Sequence, residues 1–442
     1  MEKVYIDIDD KKIKSLIDES KKFFEHVDVD YFDKLKELFS KTAEELRRKG
    51  LLKQYKKYSY RELEDSMAIG KGIWGMISVP ERRYTKPANT PQKTFQIIEN
   101  FFYTLGEKYG DLAHNQLKKS NVALTDRALK DEDYIHRFMS IEDNVLLEDA
   151  SNFLLVLEGN YLDVIVDAHE ITHKITDFFG KGDIDSSSKD GKKEINRIKK
   201  SYSPNFINEV GLCEATAMYA ELLCADYIAE KYGNREYEKW AMTIKGRSLV
   251  EALDDKSESI KLEDISQWLR LIKSIDGKSD EDIFKVRAYF NEHPSFKFYT
   301  RDPKVFPTIL VSTVDHVMGY YYAVYLKNLC DKNPSRKVQM YEDCLQINCY
   351  GENCFEEQAE LIEKIGLPMI RDGKIVMDDE AIEELSSVWV DYFSRMKSIK
   401  PKETTSIVEV VKSKLDGGIS TVDVINACDA RESTKDEKGP VK

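Results

Sequence analysis

Apolar residues recur every three or four positions over most of this chain, which is the spacing of an amphipathic helix. In residues 11–58 the apolar positions stand in a background rich in Lys and Glu, and include Leu35, Leu38, Phe39 and Leu46. The same spacing predicts three further helices, over residues 94–118, 161–179 and 206–232. Gly180 and Gly233 follow the last two and are typical of helix C-termini.

Signals for β-strands are few. The short apolar run at residues 152–158 ends at the turn pair Gly159–Asn160 and predicts one strand. Residues 181–205 are rich in Gly, Ser, Asp and Lys, and they predict a long loop between two helices. The pattern as a whole predicts a mainly α fold with a small mixed β-sheet beside the helix that follows residue 160.

Charge and composition narrow the range of partners. The 442 residues carry a net charge of −13, from 67 Lys and Arg against 80 Asp and Glu. A negative field repels phosphate backbones, so we expect no nucleic-acid partner. The sequence has no run of 18 apolar residues and starts without the apolar segment of a secretory signal. We therefore expect no membrane partner, a cytoplasmic location and seven reduced cysteines.

The most informative segment is His169–Glu170–Ile171–Thr172–His173. Two histidines four residues apart project from one face of a helix, one turn from each other. This separation suits two imidazole ligands of one tetrahedral Zn²⁺ ion. Glu170 follows the first histidine and is placed to take a proton from a metal-bound water.

A catalytic zinc ion needs a third protein ligand, and the acidic candidates on the next long helix are Glu209, Glu214 and Glu221. Glu214 and Glu221 are seven residues apart and share a face, whereas Glu209 lies about 140° around the axis from Glu214. Buried acids on an otherwise apolar helix need partners. We predict Glu214 as the third ligand and Glu221 as a partner that orients a ligand histidine.

This arrangement resembles the thimet oligopeptidase and oligoendopeptidase F family of zinc peptidases. The matching positions near the motif are Asn160, Tyr161, Asp163, Val164, His169, Glu170, His173, Glu214 and Glu221. A later segment, residues 315–326, resembles the Gly-Tyr-rich segment that stabilises the family's transition state, with Gly319, Tyr320 and Tyr321 matching best. The resemblance covers about residues 150–330.

The resemblance implies a zinc-peptidase fold with a deep substrate channel, one zinc ion and metal-assisted hydrolysis of oligopeptides. It implies that Glu170 is the general base, and that His316, Tyr320 or Tyr321 donates to the oxyanion. The chain departs from the family at several positions. Thr172 and Thr176 stand where the family has Gly and His, His316 stands where relatives carry Tyr, and a histidine expected near residue 306 is missing.

The regions predicted on this basis are an N-terminal helical region (1–120), a catalytic region (121–335), a C-terminal helical region that completes the channel (336–430) and a disordered tail (431–442). We predict a zinc metallopeptidase whose partner is a peptide substrate. One alternative is an inactive zinc-binding homologue that binds peptides, and another is a helical interaction module with a coincidental motif. The sequence leaves the oligomeric state, the peptide preference and the mode of cleavage open.

Two other patterns carry less weight. Residues 70–75 satisfy the glycine spacing of a dinucleotide-binding loop, but the preceding residues read as a helix and Pro80 follows too soon. Cys344, Cys349 and Cys354 recur every five residues, which is not the usual spacing of a zinc site.

Overall fold

A computed structural model of the chain describes residues 8–52, 91–119, 121–124, 154–157, 161–178, 205–235, 261–277, 279–293, 302–312, 314–348, 355–397 and 419–420, with isolated residues between 193 and 300. These residues form two compact units, each assembled from separated segments of the chain. The first unit is Met1–Lys53, Tyr202–Tyr219 and Lys245–Arg395, and the second is Gln54–Ser201, Ala220–Ile244 and Met396–Lys442.

The described part of the first unit is almost entirely helical. Its helices are α1 (Asp10–Phe23), α2 (Tyr31–Arg48), α7 (Leu262–Ser274), α8 (Asp280–Glu292), α9 (Phe306–Val311), α10 (Asp315–Lys332), α11 (Lys337–Ile347), α12 (Phe355–Ile365) and α13 (Asp379–Lys397). A π-helical segment, Asn208–Leu212, and a 3₁₀ turn, Pro334–Arg336, also belong to the described part of this unit. Two short antiparallel strands, β3 (Ile370–Arg371) and β4 (Lys374–Ile375), form a hairpin.

The described part of the second unit combines helices with a small mixed sheet. It contains α3 (Pro91–Leu105), α4 (Glu107–Lys119) and α5 (Tyr161–Phe178), which pack against one another. Strand β1 (Asn121–Leu124) pairs in parallel with β2 (Leu154–Leu157) and antiparallel with β5 (Ile419–Ser420). Strand β2 contacts α5. Helix α6 (Cys213–Tyr232) is continuous, and each unit includes a part of it.

Apolar burial and helix caps stabilise the helices of the first unit. Trp268 on α7 is fully buried, and its ring contacts the rings of Tyr289, Phe290 and Phe306 from α8 and α9. Ser279 caps α8 by accepting a hydrogen bond from the Asp282 amide at 3.1 Å, which satisfies an N–H group that the helix itself leaves unpaired. These ring contacts join three helices that the sequence analysis did not name.

The prediction of a mainly α fold is confirmed by these elements. The predicted strand near 152–158 is observed as β2. The single helix predicted over 94–118 is wrong, because Gly106 adopts a φ of 141° between α3 and α4. That left-handed backbone suits glycine and ends the first helix. Strand β1 was not predicted, since its four residues are few and do not alternate between apolar and polar.

The described helices include none with the length and apolar character that a membrane crossing requires. The predicted loop at 181–205, the glycine pattern at 70–75, the turn pair Gly159–Asn160 and the tail lie outside the residues that the structure describes, apart from Lys193 and Asn205.

Candidate metal centre

The two motif histidines lie one turn apart on α5. Their Nε2 atoms are 3.1 Å from each other, and the two rings meet edge to face. The helix is anchored by buried apolar residues on its other positions, among them Val164, Ile165 and Ile175. Two nitrogens bound to one tetrahedral zinc at about 2.0–2.1 Å would be separated by about 3.3 Å, so this spacing suits a shared ion.

Glu221 holds the first of these histidines. Its Oε2 lies 3.0 Å from Nδ1 of His169, and its Oε1 accepts a hydrogen bond from the Tyr237 hydroxyl at 2.7 Å. Glu221 is only 2% exposed. A carboxylate accepts and does not donate, so the Nδ1 of a neutral His169 carries the proton. Its Nε2, directed toward His173, is then the unprotonated nitrogen, which is the tautomer that a metal requires.

Glu214 lies in the first turn of α6, directly after the π-helical segment. Its Oε2 is 3.2 Å from Nε2 of His316, in the first turn of α10. Nδ1 of His316 in turn contacts Oδ1 of Asp315. Burial raises the pKa of the Asp315 carboxyl, and the neighbouring His316 opposes this shift. Glu214, His316 and Asp315 thus form a chain of alternating acid and base groups.

His169, His173 and Glu214 form the candidate metal centre. Each offers one ligand atom, and these three atoms all lie within 4.8 Å of one another. Two imidazole nitrogens and one carboxylate oxygen are the donor set of catalytic zinc sites, in which the fourth position is left for water. The residues present therefore fit a zinc ion in number, type and spacing.

Glu170 and the two threonines in and after the motif differ in their surroundings. Glu170 is partly exposed, so its carboxylate is accessible to water. Thr172 and Thr176, where the family has Gly and His, are buried and donate to the carbonyl oxygens of Ala168 and Thr172 at 2.8 and 2.9 Å. These two departures are accommodated by hydrogen bonds to the backbone of the same helix.

The two predicted tyrosines belong to an aromatic cluster in the first unit. Tyr321 is buried, stacks on Phe39 and meets Trp389 edge to face. Tyr320 also contacts Trp389, and its ring faces the ammonium of Lys245 at 5.2 Å. The oxyanion role of His316, Tyr320 or Tyr321 remains a prediction.

Sequence reasoning missed two residues next to the candidate centre. Tyr237, the partner of Glu221, lies in no recognisable motif, and no spacing signal could have found it. Asp315 could have been found from its position directly before His316, because a carboxylate next to a histidine often fixes the ring. Among the cysteines set aside, Cys344 is buried, whereas Cys349 and Cys354 lie outside the described residues.

Comparison of the chain with models of protein families, with curated proteins and with solved structures finds no match.

Proposed function

We propose that this protein is a zinc-dependent metallopeptidase that hydrolyses peptide bonds of oligopeptides. One observation carries the proposal, namely the grouping of His169, His173 and Glu214 ligand atoms within 4.8 Å, with Glu170 between the histidines in sequence. The peptidase fold and deep channel that the family resemblance implies are part of the same proposal.

The roles of the residues follow from their chemistry. His169, His173 and Glu214 would hold the ion, and Glu221 keeps the proton of His169 on Nδ1. A zinc ion bound there would lower the pKa of a water toward about 7 and polarise a carbonyl. Glu170 accepts a proton from the attacking water and passes it to the leaving amine, a role that typically contributes 10²–10⁴-fold.

We assign stabilisation of the oxyanion in the transition state to side chains of α10. His316 and Tyr320 are four residues apart and share one face of this helix. We expect the donor to the oxyanion to be one of these two side chains. The contact of His316 with Glu214 gives it the further task of orienting the carboxylate. Tyr321 is left out of the proposed machinery, because it is five residues from His316 and lies off the face that His316 and Tyr320 share.

Metal analysis of the purified full-length protein is the first test. We expect one zinc per chain in the wild type, retained by Glu209→Gln and lost from His173→Ala and Glu214→Ala. Glu209 is a matched control because it is an acid of the preceding π-helical segment, five residues before Glu214, that does not belong to the group of three ligands. Equal zinc content in all four proteins would refute the proposed centre.

Turnover is the second test. A quenched-fluorescence peptide library should be cleaved by the wild type, and Glu170→Gln should lose about 10²–10⁴-fold in rate while its zinc content stays unchanged. Absence of wild-type cleavage of any peptide, with zinc bound, would refute the enzyme and leave the peptide-binding homologue.

A further inference from the structure

The backbone that precedes Glu214 is interrupted by a glycine. Within the π-helical segment Asn208–Leu212, Gly211 adopts a φ of 119°. A Cβ added at Gly211 would lie 2.6 Å from the backbone nitrogen of Gly319 and 2.8 Å from the carbonyl oxygen of Asp315. Only a glycine fits both the left-handed backbone and this approach to α10. The interruption therefore marks the point where α10 meets the chain just before Glu214.

A second glycine, Gly319 of α10, lies against Glu214 where α10 meets this segment. A Cβ added at Gly319 would lie 2.5 Å from Cβ of Glu214, and 3.1 Å from the nitrogen of Ala215 and the carbonyl oxygen of Gly211. Separations below 3.0 Å between such atoms force a neighbour to move. Since the nearest atom is the Cβ of Glu214, the atom displaced first belongs to the proposed metal ligand.

Side-chain amides hold the interrupted segment from its other side. Nδ2 of Asn348 lies 2.9 Å from the carbonyl oxygen of Leu212, which also accepts from the Thr216 hydroxyl at 3.1 Å. Nε2 of Gln358 donates to Oδ1 of Asn208 at 3.0 Å. Asn348 and Gln358 are both buried. The Leu212 carbonyl and the Asn208 side chain thus each receive a donor from outside the helix.

We propose that Gly319 and Asn348 are positioning residues that set the metal affinity of the centre through Glu214. Gly319 allows the backbones of α10 and of the segment around Gly211 to touch, and Asn348 fixes the residue two positions before Glu214. The carboxylate is thereby held 3.2 Å from Nε2 of His316. This inference rests on the metal centre of the proposed function.

Competitive titration of the full chain with zinc and a chromophoric chelator tests it. We expect Gly319→Ala to weaken zinc binding by about 10–100-fold, the usual range for residues that orient a metal ligand. Asn348→Ala, which leaves the Thr216 bond to Leu212 in place, should weaken it by about 3–10-fold. Gly366→Ala is the matched control. It also introduces backbone strain, at a φ of 85°, but its added Cβ meets Leu329 at 3.7 Å and does not contact Glu214.

A double-mutant cycle separates positioning from general destabilisation. Glu214→Ala keeps the Cβ but removes the ligand, so adding Gly319→Ala should cause no further loss of zinc affinity. The visible absorption of cobalt-loaded Gly319→Ala should resemble that of cobalt-loaded Glu214→Ala, and differ from that of Gly366→Ala.

Two outcomes would overturn the inference while the proposed function stands. One is wild-type zinc affinity and cobalt spectrum in both Gly319→Ala and Asn348→Ala. The other is a full additional loss when Gly319→Ala is placed in the Glu214→Ala background. If the wild type itself binds no zinc, or if its binding is independent of His169 and His173, the proposed function fails first.

Discussion

Replacing Glu221 by Gln should separate the stability of the protein from its affinity for metal. The carboxylate accepts from Nδ1 of His169 at 3.0 Å and from the Tyr237 hydroxyl at 2.7 Å, and it is 2% exposed. Glutamine has the same shape but only one acceptor oxygen. One of the two donors must then face an NH₂ group, or His169 must change its tautomer and move the proton to Nε2.

The magnitude follows from those two contacts. Loss of the residue that orients a ligand histidine typically costs 10–100-fold in metal affinity, which is about 1.4–2.8 kcal/mol. The same substitution should not lower the stability of the metal-free protein. It removes a buried negative charge, and desolvation of a carboxylate is costly. We therefore expect Glu221→Gln to bind zinc about 10–100-fold more weakly, with unchanged or higher stability of the metal-free form.

Zinc competition titration and urea denaturation in the presence of a chelator measure the two quantities. Tyr237→Phe is the control, since it removes one hydrogen bond to Glu221 and keeps the carboxylate beside His169; its zinc affinity should fall less than that of Glu221→Gln. Wild-type zinc affinity in Glu221→Gln would refute the argument that Glu221 fixes the tautomer of His169.

Three further predictions concern the rest of the described chain. Trp268→Ala should lower the free energy of unfolding by about 3–5 kcal/mol, because the ring is fully buried; a loss below about 1 kcal/mol in urea denaturation would show that the surrounding rings are not a packed core. The hydrogen bond from Lys34 holds the pKa of Asp379 below its ordinary value. Because the folded pKa is depressed, the Lys34–Asp379 pair stabilises the protein at pH values above the ordinary aspartate pKa, and this contribution is lost as the pH falls through the folded pKa. Asp379→Asn should remove this contribution from the pH dependence of the free energy of unfolding. An unchanged pH dependence in that variant would contradict the argument. Tyr321→Phe should retain peptide cleavage, because Tyr321 is buried against Phe39 and Trp389 and burial raises the pKa of its hydroxyl; a loss of about 100-fold would instead assign it the oxyanion role.

The sequence revealed the parts of the site that depend on helical periodicity. His169 and His173 are four residues apart, and Glu214 and Glu221 are seven apart, so their shared faces follow from the geometry of one helix. The structure brings Glu214 into one group with both histidines and sets Glu221 beside His169. The sequence predicted that Glu221 orients a ligand histidine, because it shares a face of an otherwise apolar helix with Glu214; that this histidine is His169 comes from the structure.

Features that depend on contacts between distant segments could not be predicted. The helix expected over 206–232 is interrupted at Gly211, whose left-handed φ reflects the close approach of α10. The proximity of Tyr237 to Glu221, and of His316 to Glu214, likewise depends on tertiary packing. A single sequence shows which residues share a face of an element, but it does not show which faces meet.

Helix α6 places Glu214 and Glu221 two turns apart, about 10.5 Å along its axis. Inserting or deleting one residue between them would rotate one carboxylate by about 100° relative to the other, whereas substitutions at the intervening positions preserve the register. During divergence this stretch can therefore change its composition but not its length. A design that transfers the site to another protein must keep the two glutamates seven residues apart on one helix.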